Sequence, residues 1–129
     1  MDYTEAFAAA FLDTVRHARG SVFTVSPYRL LQRARELGYM VNTAPVYATV
    51  MRHYILVMGK IYPFEALARG RGVIYMFETG DFKDYAVLTP RQLAILLKVM
   101  EDGALGPSGC FHNSLRRDLE PMRPPIMVG

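Results

Sequence analysis

Three times the chain sets a short polar residue or loop ahead of a proline that opens a run of helical periodicity: Ser26-Pro27, Asn42-Thr43-Ala44-Pro45 and Thr89-Pro90. Proline is tolerated at the first helical position because the amide it lacks would have no partner within the helix. The side-chain oxygen before it accepts one of the amides left over. Each such site marks where a helix begins. Gly20, Gly38, Gly59 and Gly103 mark where runs end, glycine being the residue that turns the chain out of a helix without steric cost. Four short helices are therefore expected, and the chain between them must be strand or loop.

Within these bounds the apolar residues recur at three- and four-residue intervals. Phe7, Phe11, Thr14, Val15 and Ala18 share one face of the first run, and Leu30, Leu31, Ala34 and Leu37 one face of the second. In the third, Val46, Val50, Tyr54 and Val57 form a stripe widened by Met51 and Ile55, which leaves Thr49, Arg52 and His53 together on the far side. The fourth opens with Thr89-Pro90-Arg91-Gln92, a capping box, and carries Leu93, Leu96, Leu97 and Met100 on one face. Residues 21–25 alternate as a short edge strand. Residues 60–67 and 73–78 read as a β-hairpin around Ala68-Arg69-Gly70-Arg71-Gly72, with Pro63 confining the first of these strands to an edge or an irregular start. Residues 82–88 are expected to form another short strand or an extended linker.

A length of 129 residues suits one folding unit, and 51% hydrophobic against 21% charged residues excludes wholesale disorder. The folded domain is expected over residues 1–103, followed over 104–129 by a loop, a short basic helix at 113–120 and a proline-rich tail. Cys110 is the single cysteine, so no intrachain disulfide can form, and a reducing cytoplasm is the default compartment. Asp2 and Glu5 stand where a signal peptide needs bases, and apolar runs such as residues 54–59 are too short to cross a bilayer, so a soluble protein away from membranes is expected.

The net charge of +3 is unevenly spread: residues 1–72 hold nine Arg or Lys against five acids, and residues 73–129 hold six against seven. Twelve of these fifteen cations are arginine, whose guanidinium fork pairs bidentately with phosphate and with guanine edges. A polyanionic partner fits this balance. Catalysis does not: no Ser, Cys or Thr nucleophile has a recognisable base beside it. Cys110 and His112 lack a second ligand pair, so no metal is expected. Gly70-x-Gly72 lacks the third glycine of a dinucleotide loop and leads back into a strand, so no cofactor is expected either.

Helix, short strand, helix, tight turn, helix, hairpin: in this order and at these lengths, residues 4–78 resemble the winged helix-turn-helix family. The resemblance implies an α+β fold, a three-helix core with a β-hairpin wing, to which the fourth helix and an extended tail are appended. It also implies a nucleic-acid partner, DNA in transcription regulation or chromatin first and RNA second. The third helix would lie in the major groove, with Asn42, Thr43, Tyr47, Thr49, Arg52 and His53 as its contacts, and Lys60 at its end. Arg69 and Arg71 would serve the wing, and Arg29 and Arg33 of the second helix the phosphates. The third helix is more apolar than one buried face requires, through Tyr47, Met51, Ile55, Leu56 and Met58. Burial on both sides would make the chain a structural or protein-interaction subunit of a larger assembly, or a ribosomal or ribonucleoprotein component. A homodimer is expected, with Leu93, Leu97 and Met100 as its seam and Phe7 and Phe11 beside it, unless these residues are simply core.

Overall fold

The local signals at the helix ends operate as hydrogen bonds. In the computed structural model, which describes residues 3–104, Pro27 opens a helix after Ser26, whose hydroxyl accepts the Arg29 amide at 3.3 Å. Thr89 and Gln92 exchange bonds, each backbone amide donating to the other's side chain at 2.9 and 3.1 Å. The second helix closes through Gly38, at φ 101°, with the Gly38 amide donating to Arg35 O and the Tyr39 amide to Ala34 O, both at 3.0 Å. Asn42-Thr43-Ala44-Pro45 works differently. Ala44 occupies the cap position and offers no side-chain bond, while Asn42 Oδ1 accepts the Ala44 amide at 2.8 Å and so shapes the approach to the helix.

The elements run α1 (Tyr3–His17), β1 (Val22–Val25), α2 (Pro27–Glu36), α3 (Pro45–Gly59), β2 (Phe64–Arg69), β3 (Gly72–Glu78), a 3₁₀ segment (Thr79–Val87) and α4 (Pro90–Ala104). The three strands form one antiparallel sheet in the order β1-β3-β2, with Phe23 opposite Phe77 and Phe64 opposite Phe77. The fold is α+β, and its element and strand order are compatible with a winged-helix-like arrangement. Phe23, Val25, Tyr75 and Phe77 turn one face of the sheet into a core that also takes Phe7, Phe11 and Leu12 of α1 and Leu93, Leu96, Leu97 and Met100 of α4. No helix among the described residues is long and apolar enough to cross a membrane. Cys110, His112, the basic stretch 113–120 and the tail 121–129 lie outside the described residues.

Four expectations change. Residues 60–63 are not strand: the Lys60 amide donates to Val57 O and the Ile61 and Tyr62 amides to Met58 O, so the chain keeps turning past α3 and Pro63 precedes the ladder. Residues 82–87 are neither strand nor linker, because Phe82 and Tyr85, three apart and both fully buried, anchor a 3₁₀ segment kinked at Phe82, and only Leu88 beyond it is extended. Val46 is 65% exposed and does not join the buried stripe of α3, since its neighbour Tyr47 stacks on Tyr3 of α1 at 4.9 Å and turns Val46 outward. Leu93, Leu97 and Met100 are fully buried within the chain itself, where α4 packs on α1, and so are Phe7 and Phe11. That face cannot be the seam of a dimer.

Gly59 matters for its missing side chain. A β-carbon there would fall 2.7 Å from Phe64 Cδ1 and closer still to Cε1, and the ring is held from behind by Tyr75 and Phe77 at 5.8 and 5.7 Å between centroids. Alanine ordinarily gains about 1 kcal/mol over glycine in a helix. Here overpacking outweighs that gain, and Gly59→Ala is expected to lower the unfolding free energy by about 1–3 kcal/mol in a urea titration.

Candidate nucleic-acid interface

The wing begins as a turn that glycine alone makes easily. Arg69 pairs with Gly72 across the hairpin, leaving Gly70 and Arg71 as a two-residue loop. Gly70 takes φ 59° and no non-glycine residue among those described has positive φ, the type II′ pattern whose twist matches the flanking strands. The two arginines are thus carried at the tip on a tight, defined turn.

Between this wing, the first turn of α2 and the outer face of α3 lies a half-open groove of about 520 Å³. Arg29 reaches it from α2, Arg52 from α3, and Arg69 and Arg71 from the wing, and among the described residues no Asp or Glu lines it. All four arginines are exposed, and no ion pair to a carboxylate is formed by any of them among the described residues. Thr49, also exposed, lines the same groove, as do the hydroxyl residues Thr24 and Ser26. Four like charges share a small volume with no counter-charge among the described residues of its walls. An anion entering there replaces repulsion among guanidinium groups with pairing.

The exposed stripe of α3 runs through Val46, Thr49, Arg52, His53 and Leu56, so α3 is buried on one side only. Its surplus of apolar residues is absorbed largely by the core, which takes Met51, Tyr54, Ile55, Val57 and Met58.

Other residues singled out from the sequence are placed elsewhere. Arg33 donates to Asp13 Oδ2 at 2.5 Å and to Glu36 Oε1 at 2.7 Å, tying α2 to α1. Those two hydrogen bonds, Asp13's first, hold its guanidinium proton more firmly than usual. Asn42 donates its amide to Tyr3 Oη at 2.9 Å, and Tyr47 is occupied by Tyr3; neither these two nor the half-buried Thr43 lines the groove. His53 pairs with Glu101 of α4 and does not line the groove. Lys60 is exposed just beyond the end of α3 and does not line the groove. Tyr39 donates to Glu5 Oε2 at 3.3 Å, and burial, followed by that carboxylate, raises its phenol above the ordinary value.

Sequence reasoning missed Tyr28, 48% exposed at the groove, and the apolar wall beside it formed by Pro27, Ala48 and Ile74. A signal was present, for Tyr28 precedes Arg29 and lies off the apolar stripe of α2. Among the described residues, no three His, Cys, Asp or Glu side chains are grouped so as to hold a metal ion.

Compared with known proteins, the chain matches no protein family, no curated protein and no solved structure.

The two classes of polar residue separate experimentally. Asn42→Ala removes an acceptor that shapes the start of α3 and should cost about 1 kcal/mol of stability while leaving any anion binding in the groove intact. Arg52→Ala should leave the denaturation midpoint in place and weaken binding. Chemical unfolding and fluorescence anisotropy on both variants check the pair of outcomes.

Proposed function

We propose that the chain is a non-enzymatic winged-helix protein that binds nucleic acid, double-stranded DNA before RNA, in transcription regulation or chromatin. The observation that carries this reading is the convergence of Arg29, Arg52, Arg69 and Arg71 from three separate elements on one groove that no carboxylate among the described residues lines. Phosphate is the anion that guanidinium forks pair with most readily in bidentate geometry. A strand of nucleic acid presents phosphates at a spacing that successive arginines can follow.

The preference for duplex DNA rests on shape. The 15 residues of α3 span about 22 Å at ~1.5 Å per residue, with a continuous exposed stripe. The major groove of B-form DNA, about 12 Å wide, admits such a helix, whereas the deep, narrow groove of A-form RNA does not. In this arrangement Arg52 and Thr49 face base edges, Arg29 meets the backbone and the type II′ tip carries Arg69 and Arg71 to the flanking strand.

Two measurements test the reading. With Arg69→Ala and Arg71→Ala combined, affinity should fall for all duplexes alike, and the slope of log K against log salt should become shallower by about 2, each phosphate contact contributing roughly 0.9. Arg52→Ala should instead flatten the preference among sequences recovered from a random duplex library, by about 1–3 kcal/mol at one position. A double wing variant with parental affinity and salt slope would remove the groove from the mechanism.

A further inference from the structure

The groove is more than a charged surface. It is a hollow of about 520 Å³, and the larger part of its wall is apolar. That volume lies within the ~300–1,000 Å³ of small-molecule sites, which likewise combine apolar walls with a few placed polar groups. A duplex laid across α3 and the wing is convex and rigid. Its phosphates and base edges would satisfy the arginines and leave the apolar interior empty.

The lining divides into two kinds of surface. Pro27 and Ala48 supply apolar wall, Ile74 and the buried Tyr75 of β3 line it alongside, and Tyr28, half exposed, supplies an aromatic ring. The four arginines supply cationic groups in the same hollow. A ligand that uses both must be flat and apolar at one end and multiply anionic at the other. Resting on the reading of the groove as a phosphate-binding surface, we infer that it takes a single nucleotide, with its base against the apolar wall and Tyr28 and its phosphates on the arginines. The nucleotide comes from one of two sources, a free nucleoside polyphosphate or one unpaired nucleotide of a strand. In either case the bound nucleotide occupies Arg29, Arg52, Arg69 and Arg71, so it competes with duplex DNA for the same cations and regulates that binding.

Calorimetric titration of the full chain with ATP, with inorganic tripolyphosphate and with the single strand d(A)6 tests this. Tripolyphosphate carries the charge without the base, so ATP should bind about tenfold more tightly, a margin in keeping with base-aromatic stacking. Tyr28→Ala should erase the margin and Tyr28→Phe should keep it. Excess ATP should displace a labelled duplex. Tighter binding of ATP than of d(A)6 identifies the free nucleotide as the source, and the reverse order identifies the strand. Equal affinities for ATP and tripolyphosphate, or a margin that survives Tyr28→Ala, overturn the inference. A parent protein that binds duplex but not ATP overturns the nucleotide site and leaves the DNA interface standing. One that binds ATP but no duplex overturns the duplex reading and the competition with it, and leaves the nucleotide site standing.

Discussion

Phe11 sits at the crossing of α1, the sheet and the 3₁₀ segment, fully buried, with Phe7, Phe23, Phe77 and Phe82 around it at centroid distances of 5.5, 5.8, 6.0 and 5.3 Å. Three of these contacts are edge-to-face, the geometry that sets a ring's positive rim against its neighbour's negative face and adds about 0.5–1.5 kcal/mol per pair beyond burial. Their consequence reaches past the core. Phe77 belongs to β3, the central strand, and stands opposite both Phe23 of β1 and Phe64 of β2. Holding Phe77 therefore sets the register of both hairpin strands, and with it the direction in which Arg69 and Arg71 are carried.

The polar side chains divide between building the frame and remaining available. Arg16 donates to the carbonyls of Ala86 and Leu88 at 2.9 and 2.6 Å, fastening the end of the 3₁₀ segment to α1. Arg33 joins α2 to α1 through Asp13, and His53 joins α3 to α4 through Glu101. Exposed pairs of this kind contribute little stability each. Their effect on the interface is electrostatic. Asp13 and Glu36 are taken by Arg33 and Glu101 by His53, and no carboxylate among the described residues forms an ion pair with the arginines facing the groove.

What could be read in advance followed the range over which each signal acts. A capping hydroxyl, a helix-opening proline or a glycine at positive φ works within three or four residues, so the helix starts at Pro27 and Pro90, the stop at Gly38 and the turn at Gly70 were legible. The arginines of the turn were legible in Ala68-Arg69-Gly70-Arg71-Gly72, but the sequence reads there as a five-residue turn, which the ladder shortens to Gly70-Arg71. Arg29 and Arg33 looked alike, for both lie on the polar side of one helix. Asp13, twenty residues away in α1, is what takes Arg33 and leaves Arg29 to the groove.

The sequence by itself determined the order of elements, the amphipathic helices and the excess of arginine in the first half of the chain. Tertiary structure alone decided that α4 lays Leu93, Leu97 and Met100 into the chain's own core, that Tyr3 stacks on Tyr47 and turns Val46 outward, and that residues 82–87 coil around Phe82 and Tyr85. It also decided that α2, α3 and the wing meet in one hollow with Tyr28 at its edge. The reason is one of distance along the chain. Backbone hydrogen bonds of helices and turns close within a few residues, whereas the burial of a side chain or the pairing of a charge is set by partners that only the finished packing brings alongside.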